Sequence, residues 1–218
     1  MIELKLNGQS QRKYRILCLG AHSDDIEIGC GGTILKLLAT YPNIVVEWEV
    51  FSAEGKRRRE AQVSAKRFLQ HAKETSIRVN RFKGSYFPST GDRIKNYFES
   101  IKKRPTPDLI FTHYRADLHQ DHRIISDLTW NTFRNHLVLE YEIPKFDGDL
   151  GTPNLYVPLE KSVCQEKVDT LLESFASQRG KHWFTGDTFM ALMRLRGIEA
   201  GPQVKYAEAF YARKICCV

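Results

Sequence analysis

Two short stretches of this 218-residue sequence gather side chains that can do chemistry. The first, GAHSDDIEIGCGGT (Gly20 to Thr33), sets His22 just ahead of the adjacent carboxylates Asp24 and Asp25. The second, THYRADLHQDHR (Thr112 to Arg123), holds His113, Asp117, His119, Asp121 and His122, so three of the seven histidines fall within ten residues. Adjacent aspartates repel each other, and a nearby cation offsets that repulsion. Two imidazoles and one carboxylate that converge with positions left open make a catalytic metal site, in which Zn2+ takes three protein ligands plus water. Nonheme Fe2+ uses the same facial set, so ligand type alone leaves both metals open. In such a site one aspartate can ligate the cation while its neighbour acts on the water.

Both stretches follow apolar runs. Tyr14 to His22 is almost continuously apolar and ends in a turn, the pattern of a buried parallel strand. A helix is expected from the glycines at Gly31 and Gly32 through Tyr41, with Ile34, Leu37 and Leu38 on one face. Strands are expected over Ile44 to Phe51 and Ser76 to Phe82, with a helix from Arg57 to His71 between them. A helix over Asp92 to Lys102 then leads to a fourth strand in PDLIFTHY. His122 to Asn135 reads as a helix, His136 to Ile143 as a fifth strand, and PKFDGDLGTPN as a loop. Two more helices follow, one over SVCQEKVDTLLESFASQ and one ending at Gly197 as its C-cap, and KYAEAFYARK reads as a final strand. Alternating strands and helices predict an α/β, Rossmann-like fold: a mostly parallel sheet with helices on both faces. Such sheets bind ligands outside the carboxyl ends of their strands, at the switch point. A 3-2-1-4-5 order makes strands one and four neighbours and brings the two polar clusters into one crevice.

Composition narrows the class. Hydrophobic residues make up 42% and charged residues 27%, an ordinary globular balance. No apolar run approaches the roughly 20 residues a membrane helix needs, and the first twenty residues lack a secretory pattern. The five cysteines, at 18, 30, 164, 216 and 217, have no paired spacing and read as reduced thiols. A cytoplasmic protein is expected. The net charge of +7 suits an anionic partner. The densest basic run, Lys56 to Arg67, has the pattern of an amphipathic helix and lacks interleaved aromatics, which argues against nucleic acid.

At the two polar clusters the sequence resembles the PIG-L/LmbE-like family of zinc-dependent N-deacetylases. That family's signature is A-H-P-D-D-x-E-x-x-x-G-G followed later by H-x-D-H; here the two read AHSDDIEIGCGG and HQDH. Weaker similarity runs through RRREA, Ser177–Gln178, Arg196–Gly197 and Tyr206 to Phe210, so the resemblance covers most of the chain and implies one domain over 1–218. Ser23 departs from the pattern by replacing proline, which loosens the turn but removes no functional side chain. The resemblance implies His22, Asp25 and His122 as ligands of Zn2+, with Fe2+ as the alternative. It implies Asp24 as general base, and His119 near the amide oxygen or leaving nitrogen. Asp121 would orient His119, and Arg57 of RRRE would face the substrate, with Arg58 and Arg59 blurring that register. Glu27 would brace the turn by accepting backbone hydrogen bonds. The activity implied is removal of an N-acetyl group from an amino-sugar conjugate, a nucleotide-linked sugar being one candidate.

Other readings compete. A metal-dependent amidohydrolase could act on a non-sugar acylated metabolite. A non-catalytic nucleotide-binding module would rely on the glycines rather than the acidic pair, although the spacing G-x-G-G lacks the dinucleotide fingerprint and better suits close packing of helix on strand. Asp117 reads as a loop residue, His113 as structural, Trp183 as core ahead of a sugar platform, and His71, His136 and His182 as ordinary. Tyr141 and Glu142 stand where a pocket could reach the fifth strand's end. A homo-oligomer is left open.

Overall fold

Residues 12–216 are described by a computed structural model. Most of the N-terminal stretch read for a secretory pattern, and Cys217, lie outside the described residues. In chain order the elements are β1 (Tyr14–Gly20), α1 (Asp25–Thr40), β2 (Ile44–Val50), α2 (Gly55–Phe68), β3 (Glu74–Val79), α3 (Gly91–Lys102) and β4 (Leu109–His113). Then come α4 (Gln120–Thr132), β5 (Leu137–Tyr141), β6 (Leu155–Leu159), α5 (Lys161–Ser174), α6 (Gly186–Ala200) and β7 (Tyr206–Ala212). Among the described residues seven strands form one sheet in the order β3-β2-β1-β4-β5-β7-β6. The first five pair in parallel, and β7 runs antiparallel to both β5 and β6.

The apolar run of β1 is continuous because both faces of the strand are covered. Ile16 and Cys18 join a core with residues of α1, α2, α5 and α6; Leu17 and Leu19 join a second core with residues of α3 and α4. The strand order turns back on itself between β1 and β4, which places a crevice beyond the ends of those two strands. The register from Ile16↔Leu109 to Cys18↔Phe111 sets Gly20 level with His113. Both polar clusters therefore leave the sheet at one point.

Beyond shifts of a few residues at element ends, three elements differ from the sequence expectation. Helix α1 starts at Asp25, not at the glycines, which lie inside it. Glycine lowers helix propensity, but packing overrides it: a Cβ at Gly29 would overlap the Tyr141 ring. The Gly32 and Thr33 amides donate to the Glu208 carboxylate at 2.8 and 2.6 Å, and Lys167 bonds both Glu208 and the Ile28 carbonyl at 2.6 Å. The glycine cluster thus cradles an anion that the chain itself supplies. Gly197 sits within α6 rather than capping it, since a Cβ there would strike the Lys205 carbonyl. Strand β6 was not legible because Pro158 interrupts its pattern; as a sheet edge bonded only to β7, it tolerates a residue without an N–H.

Candidate active site

The turn after β1 carries His22 and Asp25 into the crevice. The His22 amide donates to Asp25 Oδ2 at 2.6 Å, closing the turn across the start of α1. From β4 the chain enters α4, whose first turn presents His122. Three donor atoms then meet: His22 Nδ1 and His122 Nε2 are 3.2 Å apart, and Asp25 Oδ2 lies 3.4 Å from the first and 3.5 Å from the second. A tetrahedral site with bonds of about 2.0–2.1 Å spaces its donors about 3.3 Å apart. The triangle therefore has the size that a zinc-like cation requires. His119 joins His22 and His122 in one group of possible metal donors, and His113 joins Asp25 and His122 in another.

The far nitrogens are held as ligand imidazoles need. His22 Nε2 lies 3.0 Å from Asp121 Oδ2, and His122 Nδ1 lies 2.9 Å from Asp117 Oδ2. Each carboxylate takes the ring proton on its own side, which directs the other nitrogen's lone pair into the triangle. Asp121 is itself fixed by the amides of Ser85 and Phe87 at 2.6 and 3.1 Å. This corrects the expectation that the Asp121 carboxylate orients His119. His119 instead caps α4, its Nδ1 accepting the Asp121 backbone N–H at 3.2 Å. Asp117 lies in the loop before α4, as read, and its carboxylate stands behind His122. The signal for it was present: a ligand imidazole wants a carboxylate behind it, and His122 had none assigned.

Electrostatics divide the two neighbouring aspartates. Burial and the charge of Asp25 raise the carboxyl of Asp24 above its ordinary range, against the pull of Arg57, His22 and Lys181. Burial also acts on Asp25, but the surrounding imidazoles of His122, His113 and His22 hold it well below that range. Burial and neighbouring His113 push His122 down to about 4, so its ring is neutral at pH 7. Burial opposes protonation of His22, yet Asp25 and Asp121 raise it to about 9. A cation bound there must displace that proton.

Arg57 resolves the register of RRRE. Its Nη2 lies 3.1 Å from Asp24 Oδ1 and its Nε donates to the Ser23 hydroxyl at 3.1 Å, whereas Arg58 turns to the Val79 carbonyl and Arg59 is exposed. Glu60 faces away, accepting the amide and hydroxyl of Ser177. Ser23 does more than loosen the turn, because its hydroxyl links Arg57 to Asp24 Oδ1 at 3.3 Å. Glu27 is fully buried beside Ser64, and burial drives its carboxyl well above the usual carboxylate range.

His113 is buried, accepts the Ala21 amide at 2.9 Å and stacks on His122 with ring centroids 3.9 Å apart. It wedges the turn that carries His22 against the ring of the second imidazole. Tyr141 and Glu142 do not reach the cleft, since Tyr141 donates to the Leu19 carbonyl and Glu142 is clamped by Arg196. The cleft over the triangle measures about 640 Å³ and is lined by Asp24, Arg57, Lys83, His119, Phe146 and Trp183, among others. That is the size of a small-molecule site. Trp183, read as core or sugar platform, packs half-buried against the main core and also lines the cleft.

Comparisons with known proteins agree with this architecture. Residues 17–133, more than half of the chain, match the family PIG-L, described as GlcNAc-PI de-N-acetylase. The conserved protein TT1542 of Thermus thermophilus superposes with a TM-score of 0.67 at 18% identity, over 93% of this chain and 96% of its own. The N,N'-diacetylchitobiose deacetylase of Pyrococcus horikoshii gives 0.64 at 18% identity, over 94% and 86%. GalB, the 4-carboxy-2-hydroxymuconate hydratase of Pseudomonas putida KT2440, gives 0.67 at 15% identity, over 94% and 98%. At these identities the likeness is one of fold, and the fold is shared by a deacetylase and a hydratase.

Proposed function

This chain belongs to the PIG-L family of GlcNAc-PI de-N-acetylases, and from that premise we propose that it is a metal-dependent hydrolase that removes an N-acetyl group from an amino-sugar conjugate. The observation that carries the reading is the donor triangle of His22, Asp25 and His122 with a second, differently tuned carboxylate beside it. When bound there, Zn2+ or Fe2+ would supply a Lewis acid that polarises the amide carbonyl and acidifies water. The rest falls to the chain. Asp24 takes the proton of the attacking water; a carboxyl raised by burial is matched to that task nearer neutral pH than an ordinary aspartate. A C–O bond forms, the amide C–N bond breaks, and the proton passes from Asp24 to the departing nitrogen. Acetate and a free amine result.

His119 acts as a donor to the developing oxyanion. Its Nδ1 is committed to the Asp121 amide, so a neutral ring carries its proton on Nε2. Burial lowers its pKa, which favours that neutral form. His119→Ala is expected to slow kcat by about 10²–10³-fold, the effect of removing one oxyanion donor, with metal content unchanged. Wild-type turnover in that variant makes His119 a bystander.

Arg57, Lys83 and Lys181 line the cleft around Asp24. They support an anionic group on the substrate, such as the phosphate of a nucleotide-linked sugar. Arg57 also lowers the Asp24 carboxyl. Arg57→Met should therefore raise KM for an anionic substrate and move the acid limb of the pH–rate profile upward, because the base stays protonated to higher pH. A limb that stays in place separates Arg57 from Asp24.

A nucleotide module built on the glycines finds no support, since Glu208 occupies the Gly32 and Thr33 amides. The function is tested by a panel of N-acetylated amino sugars, free and nucleotide-linked, assayed for released amine with and without chelator. Amine release abolished by chelator is expected. Turnover of non-sugar amides alone would shift the assignment to an amidohydrolase of acylated metabolites. No helix among the described residues is long and apolar enough to cross a membrane.

A further inference from the structure

The loop between β5 and β6 contributes Ile143, Lys145, Phe146 and Asp147 to the cleft wall. The Lys145 side chain is only 9% exposed and reaches from that wall to two carboxylates. Its Nζ lies 3.0 Å from Asp117 Oδ2 and 2.5 Å from Asp149 Oδ2. Asp117 Oδ2 is the same atom that faces His122 Nδ1, and Asp117 Oδ1 accepts the His119 amide at 2.8 Å. Asp149 Oδ2 accepts the Leu118 amide at 2.7 Å. One cation thus lies between two carboxylates whose side chains are 2% and 6% exposed, and both carboxylates also grip the segment leading into α4. Without that cation the pair would repel across a short, poorly solvated gap.

We propose that Lys145 is a positioning residue: it holds Asp117 against His122, and so makes metal affinity depend on the seating of the substrate-side loop. The arrangement reaches the metal from the cleft wall in three links: loop, Lys145–Asp117, His122. It rests on the metal reading above, and it says more, because nothing in that reading requires the loop to affect the metal. Outer partners of a ligand histidine typically change metal affinity by about 10–100-fold.

The test measures Zn2+ dissociation constants by chelator competition on the full chain, for wild type, Lys145→Met, Lys145→Arg and the double variant Lys145→Met/Asp149→Asn. Lys145→Met should weaken binding by about 10-fold, the lower end of the range for a ligand's direct partner, and Lys145→Arg should keep most of it. The double variant should recover much of the loss, because an asparagine still accepts the Leu118 amide but no longer repels Asp117. A purely structural lysine gives no such recovery. If Lys145→Met does not fold, the double variant and Lys145→Arg carry the test, both expected to bind metal. Affinity equal to wild type in Lys145→Met, or no recovery in the double variant, overturns the inference and leaves the metal site standing. A wild-type chain that takes up no zinc at His22, Asp25 and His122 overturns both.

Discussion

Asp24→Asn is expected to lower kcat by about 10²–10⁴-fold while leaving one metal per chain. The substitution is nearly isosteric. The asparagine oxygen can still accept from Arg57, which lies 3.1 Å from Asp24 Oδ1, so the turn keeps its shape. What disappears is the proton acceptor. Metal retention is expected because none of the triangle's three atoms belongs to Asp24. Removing its charge also relieves the repulsion with Asp25 that helps raise Asp24 above the ordinary carboxylate range. Amine release and metal analysis on the same desalted sample check both halves. Unchanged turnover would remove Asp24 from the chemistry, and lost metal would make it a ligand.

The second large effect is on binding. His122→Ala should weaken metal affinity by more than the roughly hundredfold seen for the loss of an outer partner. His122 supplies one corner of the triangle, 3.2 Å from His22 Nδ1 and 3.5 Å from Asp25 Oδ2. Its ring is held in place by Asp117 on one edge and stacked against His113 and His119, with centroids 3.9 and 4.5 Å away. Its alanine variant leaves two donors, too few for the three-ligand site. Chelator competition reads the loss, and a thermal melt without metal separates it from unfolding. Full zinc retention would refute the ligand role.

Much of this site was legible in the sequence because strand ends are legible. Apolar runs ending in His22 and His113 marked two parallel strands, and the doubly wound order made them neighbours. The carboxylate partner of His22 was not legible. Asp121 follows His119 by two positions, and residues two apart in a helix do not face each other. Its carboxylate therefore points across the crevice to His22, nearly a hundred residues earlier, a contact that only the tertiary fold creates. Ser23 and Lys145 were missed for the same reason, since their partners lie in α2 and before α4. The start of α1 was misplaced because glycine spacing was given its local meaning. Tyr141 and Glu208, contributed by β5 and β7, decide what those glycines do.

In the proposed site the ends of β1 and β4 together grip one divalent cation through two imidazoles and one carboxylate. X-ray absorption at the metal edge of the zinc-loaded chain tests it most directly. The predicted spectrum fits two imidazole nitrogens and carboxylate or water oxygens at about 2.0–2.1 Å, with no sulfur. A shell with one imidazole or none, or with a thiolate, would contradict it.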